Sequence, residues 1–186
     1  MATNTPTPAV TTTWKLDPAH SHAEFKVKHM MISNVKGSIH GGLSGTLTEH
    51  ATDATLSSVD ASIDISTIST GDPQRDAHLK SADFFDAGKF PAMTFKSTQV
   101  KPNGDGGYNV TGDLTLHGVT RQQTFVVEGP TPPAKDPWGN TRIGLSATAK
   151  INRKDYGLNW NAALEAGGIL VGDDVNITLE VQFIKA

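Results

Sequence analysis

The sequence predicts an all-β protein of about eight antiparallel strands, and three observations carry this prediction. Apolar and polar residues alternate with a period of two, as in half-buried strands, most clearly over residues 177–183. Turn signals separate several of the alternating runs, and Asn-Gly-Asp-Gly-Gly at residues 103–107 is a strong hairpin connection. Only one segment, near residues 73–86, is typical of a helix.

The alternating runs leave two architectures open. They lie at residues 21–29, 35–49, 55–65, 92–101, 107–116, 119–129, 140–153 and 175–185. One apolar face per strand suits a sandwich, which packs two such faces together, or a closed barrel, which turns them all inward. Small residues on this face, including Ala61, Gly112 and Ala147, leave room for an apolar ligand unless larger side chains opposite fill the space.

The helical segment is short and polar, and it ends in aromatic residues. Asp72 suits the N-cap, and Pro73 suits the first helical position, where its missing N–H costs nothing. Phe84 and Phe85 follow. The segment is interpreted either as a cover over an apolar opening or as a surface connection with two aromatic anchors in the core.

Composition and charge exclude several classes of protein. The chain has 186 residues, no cysteine and a net charge of -3, which argues against nucleic acid or an anionic membrane surface as the main partner. Without cysteine there is no disulfide framework or thiolate nucleophile. We predict a disordered, Thr/Pro-rich tail over residues 1–13 and one domain over 14–186. Residues 1–13 lack signal-peptide features and no apolar run reaches transmembrane length, so a cytoplasmic location is expected.

The sequence offers no convincing catalytic or metal-binding pattern. His20 and His22 share one face of a strand, but the positions of His40, His78 and His117 do not require convergence on a metal. No serine lies in a strand-to-helix elbow. We therefore predict no enzyme activity, no cofactor and no metal site. A metal-dependent or stress-related enzyme that uses the histidines remains an alternative, as does a packed barrel that binds proteins.

Four ordered motifs resemble the YceI-like family. The run R-D-A-H-L at residues 75–79, with S-A-D-F-F-D at 81–86 and K-F-P at 89–91, is similar to the family's helical segment. Residues 112–120, 151–158 and 171–175 resemble its central hairpin, its late turn and the entry to its last strand. The resemblance covers roughly residue 14 to the C-terminus.

The resemblance implies a lipocalin-like, eight-stranded antiparallel barrel with a short helical insertion near 73–86. It also implies binding, sequestration or transport of a long isoprenoid lipid, either a polyprenyl phosphate or an isoprenoid quinone, with a homodimer as the assembly and transport or a stress response as the setting. Burial of about 0.8 kcal/mol per methylene makes an apolar tail sufficient for binding.

Alternation and motif position together select the candidate site residues. At the head group or mouth we expect Arg75 and His78, unless Arg75 instead pairs with Asp72 or Asp86. Met30 and Met31 suit a mouldable ligand surface or ordinary core equally. The predicted tunnel-lining residues are Phe25, Met30, Met31, Phe84, Phe85, Phe95, Leu114, Leu145, Trp160 and Phe183.

Overall fold

A computed structural model describes residues 10–165 and 167–186 and consists mainly of antiparallel strands. The strands are β1 (Thr11–Leu16), β2 (His22–His29), β3 (Ser33–His40), β4 (Leu43–His50), β5 (Ser58–Asp64), β6 (Ile68–Ser69), β7 (Ala92–Pro102), β8 (Tyr108–Leu116), β9 (Val119–Glu128), β10 (Ala134–Lys135), β11 (Thr141–Asn152) and β12 (Val171–Lys185). Helix α1 (Pro73–Lys80) lies between β6 and β7.

These strands form a closed barrel of eight antiparallel ribbons, which confirms the predicted fold class. Three of the eight ribbons each consist of two consecutive strands. The first is β1 and β2, which both pair with β12. The second is β4 and β3, which pair with β1 and β2, and the third is β5 and β6, which pair with β4 and β3. The other ribbons run in the order β7, β8, β9, β11 and β12, and β12 closes the ring on β1 and β2. The short β10 pairs only with the start of β11.

Strand bounds differ from the predicted runs by a few residues at β5 and β12, and two larger differences concern β4 and β1. The run at 35–49 is broken at Gly41, whose φ of +72° suits glycine, so it forms β3 and β4. Strand β1 corresponds to none of the predicted runs and begins at Thr11, so the last residues of the predicted tail over 1–13 belong to the barrel. Residues 1–9 of that tail lie outside the described residues.

Helix α1 is held in place largely by polar contacts. The Asp72 carboxylate accepts hydrogen bonds from the backbone N–H groups of Gln74 and Arg75, at 3.0 and 3.1 Å, as expected for an N-cap. Asp76 accepts from the Thr70 backbone N–H at 2.7 Å and from its hydroxyl at 2.6 Å. The helix ends at Lys80, earlier than the predicted insertion, and buries none of its own residues.

Aromatic rings lie against glycines of neighbouring strands along the inner wall. The Phe25 ring occupies the position that a Cβ on its cross-strand partner Gly37 would take. The Phe95 ring lies 2.7 Å from the corresponding position on Gly112. Gly112 therefore does not leave empty space, because the larger Phe95 side chain covers it, which is one of the two outcomes that the sequence left open.

Arg142 forms two ion pairs that join the connection after β1 to the loop before β11. Its guanidinium lies 2.5 Å from the Asp17 carboxylate and 2.6 Å from that of Asp136. The hydrogen bond from Arg142 lowers the pKa of Asp17 from 3.8 to about 2. Burial alone would raise the pKa of Asp136, but hydrogen bonds from Arg142 and Asn140 hold it well below its ordinary value.

The ion pair between Arg142 and Asp17 predicts a loss of stability in acid. Because the folded-state pKa of Asp17 lies below its unfolded value, its contribution is present above pH 3.8 and is lost as the pH falls through about 2. We expect Asp17→Asn to be less stable than the wild type near neutral pH, with a difference that shrinks across that interval. Urea unfolding at a series of pH values measures this, and a difference independent of pH would contradict it.

Candidate functional site

The barrel encloses a cavity of about 240 Å³ whose lining is mostly apolar. Strands β4, β5, β7, β8, β11 and β12 all contribute inward side chains to it. Four residues selected from the sequence, Phe95, Leu114, Leu145 and Phe183, lie in this lining. Leu114 and Phe183 are almost fully buried, whereas Phe95 and Leu145 are only half-buried although they face inward. Partial exposure of inward residues is expected of a hollow interior.

A second cavity of about 110 Å³ lies at the end of the barrel that carries α1. Phe25, Phe84 and Phe85 line it, as does Leu79 of the helix. We call this the helix-end cavity and the first the main cavity.

Three apolar side chains belong to the linings of both cavities. They are Ile63, Met93 and Ile177, and they form a waist between the two cavities. Ile63 and Met93 are directly opposite each other on β5 and β7. The interior is thus two apolar chambers with these three side chains between them.

The ionisable side chains in the lining of the main cavity lie at the end of the barrel away from α1. Glu49, His50, Ser57 and Tyr108 belong to its lining there. The backbone N–H of Asp53 donates to His50 Nδ1 at 3.2 Å, so the neutral imidazole carries its proton on Nε2. The main cavity has no Lys or Arg in its lining, as far as the described residues go. This end therefore offers neutral hydrogen-bonding groups and one carboxylate, a poor setting for an anion.

Met30 and Met31 do not line either cavity, which corrects their predicted role. They form the tip of the β2–β3 hairpin with exposed fractions of 41% and 59%, and Ile32 beside them is 80% exposed. Two adjacent methionines next to a strand also suit the core. Here the conformation of the turn directs both side chains outward.

Arg75, His78 and Trp160 also lie outside both cavity linings. Arg75 Nε donates to the Thr70 hydroxyl at 2.7 Å, so it braces the helix and forms no ion pair with Asp72 or Asp86. The His78 ring packs edge-on against Trp160 and Phe84, with centroids 4.7 and 5.1 Å away. At the helix, where the sequence predicts the ligand entrance, packed aromatic rings cover the barrel. The polar end of the main cavity lies at the other end of the barrel.

The sequence analysis missed Arg153, which lines the helix-end cavity and is 3% exposed. Its guanidinium donates to the backbone carbonyls of Leu158 at 2.5 Å, Gly172 at 2.8 Å and Trp160 at 2.9 Å. Asp173 lies 3.6 Å away, too far for a hydrogen bond. Burial lowers the pKa of Arg153. Its place in the motif at residues 151–158, directly after β11, was the signal available in the sequence.

The histidines are spread over separate environments. His22 stacks on His40 with ring centroids 5.6 Å apart, His20 pairs with Asp17, and His117 contacts the backbone carbonyl of Tyr156. Within residues 10–165 and 167–186, no group of three or more metal-ligating side chains is placed to hold an ion. The described part of the chain also contains no helix long and apolar enough to cross a bilayer.

Comparison with known proteins identifies relatives along nearly the whole chain. The family model described as "YceI-like domain" matches residues 14–183. The UPF0312 protein SA2479 of Staphylococcus aureus is 38% identical over 180 residues, which cover 92% of this chain and 97% of that protein.

Solved structures agree with the fold. The YceI protein of Campylobacter jejuni is 31% identical, with a TM-score of 0.70 and coverage of 87% of this chain and 91% of that one. A polyisoprenoid binding domain from Saccharophagus degradans is 16% identical with a TM-score of 0.67, covers 93% of this chain and 98% of that one, and supports the fold alone.

Proposed function

Because this chain belongs to the YceI-like family, we propose that its barrel binds a long isoprenoid lipid as a carrier or store, without catalysis. The observation that carries the proposal is the hollow interior, in which the lining of the main cavity is mostly apolar. One neighbour with this fold is described as a polyisoprenoid binding domain, and we propose a ligand of that class for this barrel.

The size of the interior fits one apolar chain better than a bulky ligand. The cavities of about 240 and 110 Å³ together fall at the lower end of the roughly 300–1,000 Å³ typical of ligand sites. A five-carbon unit contributes about 3–4 kcal/mol at ~0.8 kcal/mol per methylene, whereas association costs about 4–15 kcal/mol. Several units are needed for tight binding, so the chain must extend through the waist from one cavity to the other.

The charge of the main cavity favours a neutral head group. A phosphate at its polar end would meet Glu49 with no cation in the described lining to offset the repulsion. His50 Nε2–H and the Tyr108 hydroxyl suit a carbonyl or hydroxyl instead. We therefore favour an isoprenoid quinone over a polyprenyl phosphate as the class of ligand.

Native mass spectrometry of the untagged protein expressed in bacteria tests the proposal. We expect an added mass that is lost on solvent extraction and that corresponds to a neutral isoprenoid in the extract. Titration of delipidated protein with an isoprenoid quinone and with a polyprenyl phosphate of similar length then separates the two classes. If the delipidated protein binds neither, the carrier role is wrong.

Location, transport, a role in stress and a homodimer remain predictions. A chain that carries a lipid must exchange it with a membrane or another protein, so each prediction depends on what the barrel is found to hold.

A further inference from the structure

The turn of the β2–β3 hairpin contains residue types that such turns rarely contain. The Ile32 N–H donates to the His29 carbonyl at 3.1 Å and closes a turn whose central residues, Met30 and Met31, have φ values of 52° and 59°. Asn-Gly normally fills these positions, because positive φ strains residues with bulky side chains. Two residues of this turn, Met30 and Met31, have strained backbone conformations, and three apolar side chains are exposed without any gain in packing. This combination points to a function for the exposed side chains.

Lysines surround this apolar tip. Lys26 and Lys36 lie directly opposite each other on the outer face of β2 and β3, an unfavourable like-charge pair, and Lys28 lies beside the turn. In the described part of the chain, none of these three lysines forms an ion pair. The nearest acids along β12, Asp173 and Asp174, are already paired with Lys154 and Lys150.

We infer that the β2–β3 hairpin is a membrane-contact element that docks on an anionic lipid bilayer. Met30, Met31 and Ile32 enter the interfacial region, while Lys26, Lys28 and Lys36 face the lipid phosphates. The net charge of -3 does not oppose this docking, because residues 26–36 carry three lysines and no acidic residue. Protein partners fit less well, since three exposed apolar side chains form a narrow tip and not a broad face.

The hairpin lies next to the ligand-binding interior. The Met30 N–H donates to the Leu170 carbonyl at 2.7 Å, and Val27 and Val171, close to the tip on β2 and β12, line the helix-end cavity. Docking would bring that end of the barrel to the lipid surface. The inference does not depend on the identity of the bound lipid, because the test below requires no isoprenoid.

Flotation of the full chain with vesicles tests the inference. We expect binding to phosphatidylcholine vesicles that contain phosphatidylglycerol, weak binding to phosphatidylcholine alone, and a decline with added salt. The double variant Met30→Asn/Met31→Gly should lower binding by at least about tenfold, because it removes two inserted side chains. It should also unfold at an equal or higher urea concentration, because Asn-Gly suits the turn. Lys26→Gln/Lys36→Gln should lower binding by about fivefold per lysine.

Matched controls lie at the opposite end of the barrel. Leu56, 63% exposed, and the exposed Lys101 provide Leu56→Ser and Lys101→Gln, which should bind as the wild type does. The inference is overturned if the wild type does not bind vesicles that contain phosphatidylglycerol. It is also overturned if the hairpin variants bind these vesicles as the wild type does, or if the control variants lose as much binding as the hairpin variants.

Discussion

Arg153→Met is expected to destabilise the protein by about 3–5 kcal/mol. Arg153 is buried and donates hydrogen bonds to four backbone carbonyls of the segment that follows it, at Leu158, Trp160, Val171 and Gly172. Methionine fills much of the same volume but donates nothing. The backbone carbonyls remain in place when the charge is removed, so their lost partners outweigh the relief of burying a cation.

The measurement is urea unfolding, with two comparison variants. Arg153→Lys should recover only part of the loss, because an ammonium group has three donors and no planar fork. Lys154→Met removes the neighbouring cation, whose side chain is 47% exposed and pairs with Asp173, and should cost less than about 1 kcal/mol. Equal effects at positions 153 and 154 would show that Arg153 does not organise this segment.

Loss of Arg153 should also loosen the cover of the helix-end cavity. Trp160, whose carbonyl Arg153 holds, packs on Phe84 with ring centroids 5.2 Å apart, and Phe84 lines that cavity. One buried arginine thus connects the late turn to the aromatic cover. Its role depends on acceptors between five and nineteen positions away along the chain, a pattern that sequence periodicity does not report.

The predictable features of this protein are those set by local pattern. Alternation with a period of two predicted the eight ribbons and the inward face, because burial in a barrel follows the pleat of each strand. The break at Gly41 and the existence of β1 depend on which strands pair, so alternation missed both.

The errors at the site have a related cause. Met30 and Met31 have the composition of core, and only the backbone of their turn places them outside. Arg75 and His78 were assigned to a mouth because charge and aromatics adjoin in sequence. In the folded chain the helix turns Leu79 to the helix-end cavity. The polar end of the main cavity combines Glu49 and His50 on β4 with Tyr108 on β8, which is far away in sequence.

Met93→Trp is expected to shorten the longest isoprenoid that the barrel binds. Met93 lies at the waist opposite Ile63, and its unbranched side chain is able to swing aside for a ligand chain. An indole at this position is larger and rigid, so it would close the helix-end cavity to a chain that enters from the main cavity. If that cavity holds one five-carbon unit, its loss lowers affinity by roughly 3–4 kcal/mol, or two to three powers of ten.

Titration with isoprenoids of increasing length distinguishes a blocked waist from a damaged fold. Short isoprenoids should bind to Met93→Trp as to the wild type, while long ones bind weakly or leave the tail outside. Met93→Leu conserves the volume and should keep the wild-type length profile, and urea unfolding shows whether tryptophan is tolerated in the core. Equal weakening at every length would mean that the site is distorted as a whole, and an unchanged profile would mean that the chain does not pass the waist. A length-dependent loss alone fits one ligand spanning both cavities, because only the part of the tail beyond Met93 then loses its contacts.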